Sequence, residues 1–296
     1  MKAKLPLVAG LFIRLAFLTL CFTIIWSFLY AYSNLTGSGM VSIPNMLDFH
    51  GVLNCILFGG AIVTAWTLYI PATQQPQFTF PVSQIRGKLI ATAEPHHALV
   101  DDMSIYIDKS SVNPSICHFY ESTQDYELKA SVKWANWFKP IAYVYQFISR
   151  RIEQLNLPYS ADTVIMGGNI SKVDATLDGR DNPRVWQRYM NGKPVFKAIY
   201  SQHVHDNQRY MNIALPLPYS SMHGILELTG RDGKLYLTSD SSGDAGTYLA
   251  IGRYTLKLPL HEYFCIWEEQ NHLHATHDMT LFGIKFLHIN YWIERK

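Results

Sequence analysis

The sequence predicts a membrane-anchored α+β protein: a two-helix transmembrane hairpin, then a mainly antiparallel β domain, a curved sheet or barrel-like, with one amphipathic helix. Three observations predict it. Charged residues make up only 16% of the 296, where about a quarter is ordinary. Between Met1 and Pro71 only Lys2, Lys4, Arg14 and Asp48 are charged, and two apolar runs fill that stretch. Beyond it, short segments of alternating polarity are separated by turn residues. The expected organisation is a hairpin over 1–71, a linker over 72–84 and a β domain over 85–296.

The hairpin comes first in the chain. A bilayer core needs about 20 apolar residues per helix, which places spans at about 13–33 and about 47–70. The first run is longer than a secretory signal core, and Leu29-Tyr-Ala-Tyr-Ser33 is a poor cleavage site. Trp26, Tyr30, Tyr32, Trp66 and Tyr69 stand where interfacial aromatics belong. Gly59, Gly60, Ala61 and Ala65 give the second span a small-residue face on which helices pack closely. The loop between the spans has no Lys or Arg, whereas Lys2, Lys4, Arg14, Arg86 and Lys88 flank the pair. Positive charge stays inside, so the expectation is a multi-pass protein of a bacterial inner membrane with both termini cytoplasmic.

The β domain is net neutral. Three of the 25 Lys and Arg and one of the 23 Asp and Glu precede residue 72, which leaves twenty-two of each sign. A net neutral domain argues against a nucleic-acid partner. Trp137–Leu155 reads as an amphipathic helix, with Ile141, Tyr145, Ile148 and Ile152 at helical spacing. It packs on the domain core or, given its Lys, Arg and Trp residues, lies on a membrane surface. Val185–Met190 and Pro194–Gln202 flank Asn191-Gly192, a hairpin signal. Gly224–Leu228 and Lys234–Thr238 flank a second turn, Gly230–Gly233. Thr247–Leu258 and three later segments bring the expectation to about eight antiparallel strands. Period-two alternation predicts Leu226, Leu228, Leu235, Leu237, Leu256 and Leu258 on the inward face, with Phe286 and Trp292.

Several of these segments carry a family likeness. Arg209-Tyr-Met-Asn-Ile-Ala-Leu-Pro-Leu-Pro218, Gly224-Ile-Leu-Glu-Leu228, Leu256-Lys-Leu-Pro-Leu260 and Leu281-Phe-Gly-Ile284 resemble the C-terminal region of YndJ-like bacterial membrane proteins. His50-Gly51-x-x-Asn54 resembles the last span of their membrane part. The resemblance covers the second span and most of 130–296. It implies a membrane protein and no particular reaction, and its typical members have more spans than the two here.

Site residues are few. His50 and Asn54, four apart on one helix face, are candidate ligand-binding groups, or else interhelical hydrogen-bonding ones. His272, His274 and His277 form H-x-H-x-x-H, a candidate metal set, although a polar strand face gives the same pattern. His203-x-His205 with Asp206 is similar. Asp174, Asp178 and Asp181 lack the spacing of a calcium loop, as do Asp240 and Asp244. No hydrolase elbow, P-loop, zincin or dinucleotide signature occurs, so no catalytic residue and no cofactor is expected. The four cysteines show no framework, and Cys117–Cys265 is the one bridge left open. The leading reading is a non-enzymatic module whose cytoplasmic β domain binds an apolar or amphiphilic ligand near the membrane. Its expected partners are the lipid bilayer, an apolar small molecule or lipid, and other membrane helices. The alternatives are a metal-dependent enzyme using the histidine clusters, and a subunit of a larger membrane assembly.

Overall fold

The computed structural model describes residues 7–68, 80–87, 94–190, 192–252 and 254–296. The chain divides into two compact units, Met1–Gln77 and Phe78–Lys296.

The first unit is a helical pair. Helix α1 spans Leu7–Thr36. A second helix begins at α2 (Ile43–Val52), passes through a π-helical stretch at Leu53–Gly59 and ends as α3 (Gly60–Leu68). Ser42 caps it, with its side chain accepting from the Asn45 amide. Both helices are long and apolar enough to cross a bilayer, and their most apolar stretches are mainly exposed. Leu18, Phe28, Ile56 and Val63 are each more than three-fifths exposed. Such surface suits lipid, not water. The pair closes on small residues: Ala9 and Ala16 of α1, and Ala61 and Ala65 of α3, are buried. The small-residue face of the second span is therefore spent on packing within the hairpin. Ile70 and Pro71, the expected end of that span, lie outside the described residues.

The second unit is a closed barrel. Its strands are β1 (Pro95–His96), β2 (Tyr126–Trp134), β3 (Val164–Lys172), β4 (Arg184–Met190), β5 (Lys193–His205), β6 (Gln208–Leu217), β7 (Ser220–Arg231), β8 (Lys234–Thr238), β9 (Gly246–Ile251), β10 (Tyr254–Lys257), β11 (Leu260–Glu269), β12 (His272–Leu281) and β13 (Ile284–Arg295). Every pairing between them is antiparallel. The order β7-β6-β5-β4-β3-β2-β13-β12-β11-β8 closes through the β7–β8 pairing. Ten strands thus make the ring, while β1 pairs with β3 and the β9–β10 hairpin with β7. Closure removes the open edges that a curved sheet would expose. The four cysteines are all free.

One ring strand, β2, lies in a stretch whose sequence period is blurred. Leu128, Ala130 and Val132 alternate correctly, but Lys129 and Lys133 next to the aromatic cluster blur the period. The stretch Thr247–Leu258, expected as one strand, breaks at Gly252 into β9 and β10. Leu256 consequently lies outside the barrel, 63% exposed. Trp292 also points outward, whereas its neighbours Tyr291 and Ile293 are buried. Leu226, Leu228, Leu235, Leu237 and Phe286 are buried in the core.

One end of the barrel is plugged. The segment around Met103, the helix α4 (Pro114–Glu121) and Tyr120 pack among Leu128, Leu226, Leu237 and Ile266. Asn113 donates its amide to the Gly233 carbonyl, tying the plug to the β7–β8 turn. The other end carries α5 (Lys139–Ile152), as expected from the sequence. Phe138 just before it stacks on Trp134 and contacts Phe286.

The stretch read as a linker is partly something else. Residues 72–79 lie outside the described residues, but Phe80–Gly87 runs along the outer wall. Ser83 donates to Asp178 at 2.5 Å, and Asp178 ion-pairs with Arg180 at 2.6 Å with both side chains fully buried. Asp178 ends α6 (Ala175–Asp178). Arg180 also donates to Asn212 and to the Ile199 carbonyl, while Asn212 donates to the Pro81 carbonyl. Both charges of this buried pair, Asp178 and Arg180, are fully hydrogen-bonded, the condition under which a buried ion pair is tolerated.

Candidate functional site

Inside the barrel, at the α5 end, lies a cavity of about 340 Å³. The volume falls within the usual range of ligand sites, roughly 300–1,000 Å³. Its wall is mostly apolar, with Ile213, Leu215, Met222, Met279, Leu287 and Ile289 contributing from four strands. Phe138, just before α5, and Ile141 and Tyr145 of α5 close over it. A wider surface groove of about 630 Å³ runs beside α5, its wall mixing the charged Arg150, Glu153 and Lys193 with Leu157, Pro158 and Val195.

The cavity has a polar patch built from three strands. Arg188, on β4, lies flat against Trp186 with its guanidinium carbon 3.8 Å from the ring centroid, and 5.3 Å from Phe196. This is a cation–π cage. Room for it comes from Gly168, paired with Arg188 on β3: a Cβ there would meet the Trp186 indole nitrogen at 2.6 Å. Arg188 Nε is buried without a hydrogen-bond partner. Opposite stand Glu262 of β11 and His277 of β12. His277 Nε2 lies 3.2 Å from a Glu262 carboxylate oxygen, within ion-pair range but not aligned as a hydrogen bond, so Nε2 has no aligned acceptor. Its ring stacks on Phe264 at 3.7 Å. Gly224 makes space for Glu262, whose Oε1 stands 3.1 Å from where a Cβ would be. Tyr200 and Tyr291 face Arg188; burial raises both phenols above their ordinary value, with Arg188 pulling the other way. They remain neutral donors at any physiological pH.

An unpaired buried donor normally signals a missing partner. Here a cationic group with a spare N–H, two phenols and an acid–imidazole pair share one apolar chamber. That arrangement accepts a molecule with an apolar body and a polar, acidic tip.

The residues singled out from sequence fall elsewhere, with one exception. His50 and Asn54 face α1, where Ser27 Oγ lies 3.3 Å from His50 Nε2 and Thr23 Oγ1 lies 3.1 Å from Asn54 Oδ1. Each thus makes an interhelical contact. His272, His274 and His277 are not brought together: strand alternation sends His277 into the barrel, while His274 stacks on Trp267 outside. Among the described residues no group of three or more potential metal ligands converges. His203 and His205 meet Asp244, at 3.2 and 3.0 Å, while Asp206 is farther, at 3.7 Å from His205. Asp174 caps α6, so the Asp174–Asp181 stretch is structural. Arg188 and Glu262 were missed from sequence. An Arg between Trp186 and Tyr189 with a Glu two residues before Phe264 reads as ordinary strand polarity, and only closure of the sheet makes them neighbours.

One triad-like set needs an explicit reading. Ser221 Oγ lies 3.0 Å from His223 Nε2, and His223 Nδ1 lies 3.1 Å from Asn212 Oδ1. Asn212 Oδ1 can only accept, so Nδ1 carries the proton and Nε2 accepts from Ser221. Hydrolases use this order of groups. Here Ser221, His223 and Asn212 are each 0% exposed and lie in the packed outer wall, beneath Pro81 and Phe80. Burial and the nearby Arg180 and Arg86 push His223 down to about 3. A base so weak, out of reach of substrate, is part of the latch that holds Phe80–Gly87.

The comparisons agree with the membrane reading. The family model described as YndJ-like protein matches residues 1–58, which include His50 and Asn54. The chain is 36% identical over 305 aligned positions to the Bacillus subtilis (strain 168) protein named uncharacterized membrane protein YndJ. The alignment takes in 95% of this chain and 55% of that relative. The chain is thus similar to the YndJ-like membrane proteins. It spans about half the length of the relative it matches. No solved structure matches it.

Proposed function

We propose that the barrel of this YndJ-like chain is a binding module for an apolar or amphiphilic ligand with an acidic tip, held near the membrane by the helical pair. The observation that carries the reading is the apolar cavity with Arg188 Nε unpartnered inside it. A carboxylate or phosphate on Arg188 would supply the missing acceptor in charge-assisted form, with the apolar body lying against Ile213, Met222 and Leu287. We place the module on the cytoplasmic side of a bacterial inner membrane, with both termini inside. The support is the distribution of positive charge around the two spans.

The test is native mass spectrometry of the full chain released from gentle detergent, alongside the Ile213→Trp variant, in which an indole fills the chamber. The expected result is an acidic amphiphile bound near one per chain to the parent and lost from the variant. A parent chain that carries no such mass, or a variant that retains it, removes the cavity as the site.

A further inference from the structure

The α5 end of the barrel differs from the plugged end in what it shows to solvent. Helix α5 turns only Ala142, Ser149 and a few half-buried side chains inward. Its outer face shows Ile141, Val144, Phe147 and Ile148, each more than half exposed, with Tyr143 beside them. Exposed apolar patches of this size on one helix mark an interaction surface. The turns at the same end continue it. Tyr219, at the β6–β7 turn, is 91% exposed, and Phe282, at the β12–β13 turn, is 77% exposed. Both hold positive φ, 59° and 51°. Bulky side chains rarely adopt that conformation, and Asn, Asp or Gly usually fill such positions. An aromatic ring kept there, wholly in the open, is placed for contact and not for folding.

The charge along the helix itself is basic, with Glu153 just past its end. From Ala130 to Ile152 there is no Asp or Glu, while Lys133, Lys139, Arg150 and Arg151 flank the apolar face. Arg150 and Lys193 share the groove beside the helix with the single acid Glu153. A basic helix with an apolar, aromatic face is the pattern that lies in the headgroup layer of an anionic bilayer. A bilayer is also within reach. Leu68 and Phe80 are separated by twelve peptide steps, at most about 40 Å of chain, and a ten-residue strand is about 33 Å long.

We propose that the α5 end of the barrel docks on the surface of an anionic bilayer, with the apolar face of α5 and the tips Tyr219 and Phe282 sunk into the headgroup layer. Phe138, Ile141 and Tyr145 of this end also line the cavity, so docking would bring the mouth of the chamber against lipid. The docking itself rests on the exposed face alone and stands whether or not the chamber binds anything.

The full chain, reconstituted in vesicles of three parts phosphatidylcholine to one part phosphatidylglycerol, provides the test. The four free cysteines are first replaced by serine or alanine. Single spin labels are then placed by Val144→Cys, by Phe282→Cys as a second site on the same end, and by Asn207→Cys on the opposite end. Docking predicts that labels at 144 and 282 collide with oxygen, which concentrates in lipid, several-fold more than with a water-soluble nickel chelate. The label at 207 should show the reverse. Vesicles of phosphatidylcholine alone should shift 144 and 282 toward the chelate. Labels at 144 and 282 as open to the chelate as 207 would overturn the proposal. Shielding of 144 and 282 from both reagents would overturn it too, and would mean a protein partner covers that end.

Discussion

The two ends of the barrel are built from the same strands and answer to different demands. At the plugged end, Met103, Ile116 and Leu226 are fully buried, and the turns are Asp206-Asn207, Asp232-Gly233 and Gln270-Asn271. Apart from Gln270, these are the Asp, Asn and Gly that a turn with two positive φ values calls for. At the α5 end the interior is left partly empty, Arg188 Nε lacks a partner, and two of the turn tips, Tyr219 and Phe282, are aromatic. Close packing and satisfied polar groups are what stability alone would select. Other buried polar atoms, such as Arg184 Nε and Thr247 Oγ1, also lack partners, but among the described residues only at the α5 end does an unpartnered donor face an empty apolar chamber, which is where a binding function is expected to tax the fold.

The outer wall belongs with the stable part, and its pH response is the largest effect expected. His223 is neutral in the fold, held down to about 3 by burial and by Arg180 and Arg86. Its ordinary value is 6.5. Between those values the unfolded chain binds more protons than the folded one. The stabilisation is complete above pH 6.5 and drains away as pH falls from 6.5 toward 3, by up to about 1.4 kcal/mol per pH unit. Unfolding of the full chain in detergent, followed by near-UV circular dichroism, should therefore lose stability steeply between pH 6.5 and 4.5. His223→Gln should flatten that slope relative to the parent. Equal slopes in the two proteins would mean that the latch opens without titrating His223.

Within the interior, Leu226 and Ile213 measure the two halves directly. Leu226 is 0% exposed in the packed half, so Leu226→Ala should cost about 2–5 kcal/mol. Ile213 lines the chamber. Its side chain already lacks neighbours on one side, so it gains fewer dispersion contacts, and Ile213→Ala should cost less, about 1–2 kcal/mol. Both are read from denaturant midpoints at neutral pH. Equal losses would show that the two halves are packed alike, and the cavity would lose its meaning.

What could be read from the sequence follows the range of the physics involved. Leu226 and Leu228 flank Glu227 and are buried because alternation is local and strict. The Lys139–Ile152 helix was legible for the same reason, and so was the membrane hairpin, where nearly thirty apolar residues leave little choice. Leu256 was misplaced because alternation says nothing about which of two layers a strand joins, and Gly252 turns the chain outside the ring. Arg188, Glu262 and His277 were beyond reach of sequence reasoning as a group: 74 positions separate the first two, and only ring closure joins them. The histidines of H-x-H-x-x-H were misleading as a set, since an odd step between His274 and His277 crosses the sheet.

The smallest effect expected concerns a single turn tip, and its sign is the informative part. Phe282 (φ 51°) precedes Gly283 (φ 78°) in the β12–β13 turn, as Gln270 precedes Asn271 and Asp232 precedes Gly233 at the other end. A non-glycine side chain in the left-handed region is strained by roughly 1–2 kcal/mol, and Asn tolerates that region best because it bonds locally to the backbone. At 77% exposed, Phe282 recovers little of this by burial within the chain. Phe282→Asn should therefore stabilise the barrel, by about 0.5–1 kcal/mol. The reverse exchange, Asp232→Phe at the plugged end, should destabilise by a similar amount. A thermal midpoint that rises for the first and falls for the second would show that the aromatic tip is held against the preference of its own turn. If Phe282→Asn instead lowers the midpoint in detergent, the ring contributes to folding, and the contrast between the two ends no longer includes their turns.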